Sequence, residues 1–309
     1  MNHTILGANG TIATELIPVL KAHNVNIRLV SRSPQHVEGT ESATADALQY
    51  EEVLTAIRGS DVVYLTIGLV YDAKIWKVQW PVIMRNVILA CQATGAKLVY
   101  FDNIYMYGKP EGILTEDSPY AYSSKKGRVR ADIARMLLQE MAAGTVRAAI
   151  ARAADFYGPR VVEKSLAGQL VFDRMKKGRT AQWFINADVP RSFNYTPDAA
   201  QALYILATNE KSFGQVWHLP TAAPLTGRQF VKLAAKYMDS SYKVMVIPKW
   251  LLKLIGYFNP FMKEAYELNY QNEFPFHFSS AKFEKEFNFT PTSNIDGIAE
   301  TAAWHLNRD

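Results

Sequence analysis

The feature that most constrains this chain lies at its start. Residues 3–6 read as a short apolar strand, and Gly7-Ala8-Asn9-Gly10-Thr11-Ile12-Ala13 follows at once, opening a helix over 11–22. A strand that turns straight into a helix leaves the first helical N–H groups unpaired and partly positive, a natural seat for phosphate. Gly7 permits the tight turn, Gly10 lets the backbone approach a pyrophosphate, and Ala13 is small where helix and strand must pack closely. Asn9, Thr11 and Ile12 stand with these glycines as expected cofactor contacts. The competing reading of the same turn is a purely structural glycine bend.

The pattern then repeats. Short apolar runs over 26–30, 61–66, 97–101 and 146–152 are hydrophobic almost throughout, as strands covered on both faces are. Between them, 50–57, 76–94 and 122–142 carry helical periodicity, with Gly59, Gly95 and Gly144 at the ends. Strand and helix in alternation predict an α/β fold with a doubly wound parallel sheet. After Gly158 the regularity loosens. Helices are expected over 197–208, 225–238, 249–257, 261–270 and 279–287, and a strand over 215–219. The expected division is a dinucleotide-binding domain over 1–158 and a smaller mixed α/β cap over 159–309. Chain near 190–220 would return to the first domain.

Composition closes off other classes. A net charge of +5 spread over 309 residues, with no basic stripe, argues against nucleic-acid binding and reads as a solvated surface. Cys91 is the only cysteine, so an intrachain disulfide and a cysteine zinc site are both excluded. The six histidines show no metal-ligand spacing, and no metal is expected. No apolar run reaches membrane-span length and no signal peptide is evident, so a cytoplasmic protein without a membrane partner is expected.

The second strand ends at Val30-Ser31-Arg32-Ser33-Pro34, where an NAD-specific fold carries an acid for the ribose 2′-hydroxyl. None is present. Arg32 between two serines suits a 2′-phosphate, which favours NADP over NAD; the other reading is an arginine exposed in a loop.

These motifs, taken in order, resemble the extended short-chain dehydrogenase/reductases, the NAD-dependent epimerase/dehydratase family. Gly7 to Ala13 matches the family's glycine turn, and Asp46-Ala47-Leu48 its step beside the adenine. Asp61-Val62-Val63-Tyr64 matches its fourth strand, and Thr66-Ile67-Gly68 the turn near the ribose. Asn86, Tyr107-Gly108, Tyr157-Gly158-Pro159, Arg191-Ser192-Phe193-Asn194-Tyr195 with Asp198, and 277–283 match later family segments. The resemblance implies a Rossmann fold. It also implies cofactor contacts from Gly7, Asn9, Gly10, Thr11, Ile12, Arg32, Asp46, Ala47, Thr66, Gly68 and Lys126.

The family's chemistry needs a tyrosine and a lysine one helical turn apart, and Tyr122 and Lys126 have that spacing. The resemblance makes Tyr122 the proton-exchanging phenol. Lys126 would favour the phenolate and hold the nicotinamide ribose. Tyr120 follows Pro119 as the family tyrosine often does, but Ser124 stands four residues on from it. Where relatives carry Ser or Thr, this chain has Asn103, and Tyr105 is the nearby hydroxyl that could replace it. Ile104 and Tyr105 stand where sugar 4,6-dehydratases carry Asp-Glu, which disfavours that reaction. Arg191 corresponds to an arginine that binds a substrate anion; its other reading is an ion-paired arginine. A second diphosphate-binding arginine is not evident. Two functions compete. One is an NAD(P)-binding oxidoreductase or epimerase acting by hydride transfer on a small carbonyl/hydroxyl or nucleotide-sugar-type substrate. The other is a non-catalytic NAD(P)-binding redox sensor or regulator. Relatives often form a homodimer through helices corresponding to 76–94 and 122–142.

Overall fold

The computed structural model describes residues 1–33, 35–161 and 165–308. In chain order the first elements are β1 (Asn2–Leu6), α1 (Thr11–Ala22), β2 (Asn26–Ser31), β3 (Glu41–Thr44), α2 (Tyr50–Ile57), β4 (Val62–Leu65), α3 (Ala73–Thr94), β5 (Lys97–Asp102), α4 (Lys125–Ala142) and β6 (Ala148–Arg152). Then come β7 (Phe156–Tyr157), α5 (Asp173–Lys176), β8 (Ala181–Phe184), β9 (Pro190–Arg191), β10 (Asn194–Tyr195), α6 (Thr196–Thr208), β11 (Gln215–His218), β12 (Leu225–Thr226) and α7 (Gly227–Tyr237). The last are β13 (Val244–Ile247), α8 (Lys249–Phe258), α9 (Pro260–Tyr266), α10 (Ala281–Phe287) and α11 (Asn294–Asn307).

Two compact, interleaved units result. The first comprises Met1–Met106, Lys125–Arg152 and Ala200–Trp217. Its seven-stranded sheet has the order β11-β6-β5-β4-β1-β2-β3. The registers from β6 through β3 are all parallel. This is the Rossmann order, with β11 added at one edge. β4 and β6 are buried along their whole length, which is why they read as unbroken apolar runs. The strand order reverses beside β1, flanked by β2 and β4. Ligands of open α/β sheets bind in the crevice beyond the carboxyl ends at such a point.

Side chains and glycines fix the helix ends. Asp72 caps α3 by accepting from Lys74 N at 2.7 Å and Ile75 N at 3.4 Å, and Gly95 ends it in a left-handed conformation at φ +74°. Asn86 on the buried face of α3 donates to the Ala47 carbonyl at 3.0 Å, tying the helix to the chain after β3.

The second unit comprises Tyr107–Ser124, Ala153–Ala199 and His218–Asp309. Three short strand pairs, β10–β7, β12–β9 and β13–β8, border a core built on Tyr157, Phe172, Trp183, Phe193 and Phe230. Edge-to-face contacts join these rings, for example Tyr157 to Phe230 at 5.3 Å.

The structure corrects several expected bounds. α4 begins at Lys125, so Tyr122 lies outside it, and the idea that Tyr122 and Lys126 share one helix face does not hold. β3 has no counterpart among the expected strands: Glu41-Ser42-Ala43-Thr44 is a polar edge strand with no buried residue, so it carries no apolar signal. The helix expected over 261–270 stops at Tyr266, and a separate 3-10 turn spans Asn269–Asn272.

Candidate active site

The glycine turn is a cradle with no room for side chains. Gly7 sits at φ +98°, and a Cβ there would lie 2.7 Å from Ile67 N. A Cβ on Gly10 would lie 3.1 Å from the Gly7 carbonyl, and Gly10 N donates to that same oxygen at 2.9 Å. Gly7 N and Ala8 N both donate to Val30 O, at 2.9 and 3.1 Å, so the turn is held against the end of β2. The loop after β4 closes its other side: Thr66 donates to Leu6 O through both N and Oγ1, at 2.9 and 3.1 Å. No side chain caps α1, and its first turn holds no acid. The N-terminal N–H groups of Thr11 and Ile12 therefore lie in a polarised position suited to an anion.

Asn9, Arg32, Asp46, Ala47 and Gly68, also expected at the cofactor, belong to the same unit. Asn9 donates to Ser33 O at 3.3 Å, and Arg32 beside it is exposed. Pro34, the last residue of that motif, lies outside the described residues. Asp46 accepts from Leu48 N at 3.0 Å and its own N–H donates to Glu52 at 2.7 Å, so its carboxylate shapes the bend that presents Ala47. Gly68 is exposed in the loop after Thr66.

The lysine end of the site is built from aromatics that sequence patterns do not announce. Lys126, in the first turn of α4, is fully buried, and its Nζ lies 4.7 Å from the ring centroid of Tyr71. A desolvated ammonium over an aromatic face gains on the order of 2 kcal/mol. The Tyr71 hydroxyl donates to the Tyr105 hydroxyl at 3.2 Å, and the Tyr105 ring stacks on Trp76 at 6.3 Å. Asn103 accepts from Tyr105 N at 3.1 Å through its amide oxygen, which fixes the start of the 3-10 turn Tyr105–Tyr107. One helical turn beyond Lys126, Arg130 lies 4.8 Å from the Trp76 ring and 4.2 Å from that of Trp80. It also donates to the Tyr100 hydroxyl and to Asp102. Arg152 pairs with the other Asp102 oxygen at 3.4 Å. Burial pushes the Tyr100 phenol well above its usual range, so it serves as a neutral bridge. The loop after β4 is the one sequence signal that could have pointed to Tyr71.

In the second unit, Tyr122 is 36% exposed. Tyr120 packs edge-on against Tyr107 at 6.1 Å. His218 makes two bonds that fix its tautomer. Nδ1 donates to the Ser279 carbonyl at 2.8 Å, so Nε2 accepts from the Tyr107 hydroxyl at 2.6 Å. Arg191 is 4% exposed and enclosed by polar partners. It pairs with Asp155 at 2.5 Å and donates to Asn272, with Gln271 at 3.5 Å.

A family model described as the NAD dependent epimerase/dehydratase family matches residues 3–219. Among curated proteins, the uncharacterized protein y4nL of Sinorhizobium fredii is 26% identical over 222 residues, 68% of this chain; the match spans 61% of that protein's length. The UDP-glucose 4-epimerase of Thermus thermophilus, solved with NAD, superposes with a TM-score of 0.81 at 17% identity, covering 99% of each chain. A dTDP-glucose 4,6-dehydratase from Streptomyces venezuelae, with NAD bound, gives 0.83 at 15%, covering 99% of this chain and 97% of that one. The UDP-N-acetylglucosamine 4-epimerase of Bacillus cereus gives 0.79 at 14% over the whole of both chains. At such identities these structures establish a shared fold.

Proposed function

Because the chain belongs to the NAD-dependent epimerase/dehydratase family, we propose that its first unit binds a nicotinamide dinucleotide and that the protein is an oxidoreductase or epimerase. The single observation that carries this reading is the tight turn of Gly7 and Gly10 before an uncapped α1: a Cβ on either glycine would run into the backbone of residues 7, 66 or 67, and the turn leaves the first N–H groups of α1 for a pyrophosphate. Gly7, Asn9, Gly10, Thr11 and Ile12 hold the pyrophosphate. Asp46 and Ala47 lie toward the adenine, Thr66 and Gly68 toward the ribose, and Lys126 toward the nicotinamide ribose. When bound, the nicotinamide supplies the hydride acceptor and donor. Tyr122 exchanges the proton of a substrate hydroxyl or carbonyl, and the Tyr105 hydroxyl, steered by Tyr71, takes the hydrogen-bonding role of the missing Ser or Thr.

The cofactor-bearing neighbours carry NAD, and none of them supports a preference for NADP. That preference rests on Arg32 alone. Titration with NADH and NADPH, followed by nicotinamide fluorescence, tests both points. Binding of neither dinucleotide overturns the proposal, and NADPH binding that does not weaken in Arg32→Ala removes the phosphate role.

The substrate reading follows from Arg191. The charge of this guanidinium is already paired with Asp155 and its other Nη donates to Asn272, which leaves Nε as the one nitrogen without a partner among the described residues and too little for a diphosphate; a small uncharged carbonyl or hydroxyl compound is favoured over a nucleotide sugar. One observation keeps a sensor reading in play: Asn103 spends its amide oxygen on Tyr105 N. Tyr122→Phe separates the two readings, because an enzyme loses hydride transfer while keeping cofactor affinity. Val78, Val82 and Leu89 are exposed on α3, which supports pairing of two copies through this helix.

A further inference from the structure

Helix α8 is apolar around most of its circumference, and only part of that surface is used within the chain. Its inner face carries Leu252, fully buried, which packs with Phe184 and Ile247 under Leu251, Met262 and Tyr266. Its outer face presents Trp250 at 67% exposure, Leu254 at 48%, Tyr257 at 74% and Phe258 at 85%. These stand at i, i+4, i+7 and i+8, one continuous stripe. Tyr242 and Met245, just upstream, are exposed as well. Scattered exposed apolar residues are ordinary; four large ones in a stripe, two of them more than 70% exposed, mark an interaction surface.

Charge identifies the occupant. Between Ser240 and Lys263 the chain holds four lysines, at 243, 249, 253 and 263, and no acid. Lys243, Lys253 and Lys263 are exposed, and Lys249 is held to Glu273 at 2.8 Å. Asp239, just upstream, is exposed; the next acids downstream, Glu264 and Glu267, are only partly exposed. A Trp, Tyr and Phe stripe flanked by long cationic side chains fits a bilayer interface. The rings sit at headgroup depth, and the lysine stems lie along apolar surface with their heads toward anionic phosphates. A protein partner would need acids to match these lysines and a groove to match the stripe; an anionic lipid surface supplies both at once. No described helix is long and apolar enough to cross a membrane, so this is contact with a surface.

We infer that α8 docks the protein on an anionic lipid surface. The test is sedimentation of the full chain with phosphatidylcholine vesicles, with and without roughly one third phosphatidylglycerol. Wild type is expected to sediment with the anionic vesicles and to be released by high salt. Trp250→Ser with Phe258→Ser should lower the bound fraction about tenfold. Lys253→Gln should reduce binding less, and chiefly the salt-sensitive part. Thermal unfolding of each variant checks that the fold is intact, as expected for exposed positions. Absence of wild-type binding to anionic vesicles overturns the inference, as does undiminished binding by the double variant. A wild-type dimer that the double variant converts to monomer would assign the stripe to a second copy and overturn it equally.

Discussion

The Tyr71 hydroxyl donates to the Tyr105 hydroxyl at 3.2 Å while the Tyr71 ring takes the buried ammonium of Lys126 on its face at 4.7 Å. One side chain thus joins the loop after β4, the turn after β5 and the first turn of α4. Tyr71→Phe keeps the ring under the ammonium and removes only the hydroxyl bond, so a stability loss of about 1 kcal/mol is expected. Tyr71→Ala also strips the cation of its aromatic face and should cost at least ~3 kcal/mol. Urea denaturation of the two variants reads the difference; equal losses would show that the ring contributes nothing to Lys126.

Gly7→Ala introduces a Cβ 2.7 Å from Ile67 N at a backbone φ of +98°. It should cost ~2 kcal/mol or more and abolish NADH binding. Gly59→Ala, at a left-handed φ of +77° with nothing within 4 Å of its new Cβ, is the matched control for backbone strain and should keep NADH binding. Equal loss of binding in Gly59→Ala would show that strain, not the glycine cradle, is responsible.

His3 is fully buried, with Nδ1 2.9 Å from the Tyr64 hydroxyl, and burial lowers its pKa from 6.5 to about 4. Between these values the unfolded chain binds a proton that the folded chain refuses. Stability is therefore fully present above pH 6.5 and falls as the pH drops toward 4, by on the order of 3 kcal/mol. His305, lowered to about 4 chiefly by burial and then by the Arg308 charge, loses stability over the same window. Urea midpoints across this range should show a shallower slope in His3→Gln than in wild type. An unchanged slope would remove His3 from the account.

Asp155→Ala leaves the guanidinium of Arg191 buried without its carboxylate and should destabilise by roughly 3–5 kcal/mol. Asp155→Asn is milder and frees charge for an anion. Thermal shift with uridine diphosphate should be absent in wild type and appear in Asp155→Asn. A clear shift in wild type would contradict an uncharged substrate.

The turn from β1 into α1, the helices 11–22 and 50–57, and the buried parallel strands, though not the polar edge strand β3, were legible in the sequence because each rests on neighbours within a few residues. Hydrophobic runs covered on both faces mark buried parallel strands, and a glycine turn between strand and helix has few other uses. What the tertiary structure decided lies between segments far apart in the chain. Tyr71 meets Tyr105 over 34 residues, and Arg191 meets Asp155 over 36 and Asn272 over 81. No local period encodes such pairs, because crossovers and long returns of the chain bring them together. The start of α4 escapes a sequence reading for the same reason. Tyr122 has the spacing of a helix-face partner for Lys126, but the backbone turns helical only at Lys125. Lys126, an unfavourable charge at a helix N-terminus by local rules, is held there by the face of Tyr71, a partner supplied by another segment of the fold.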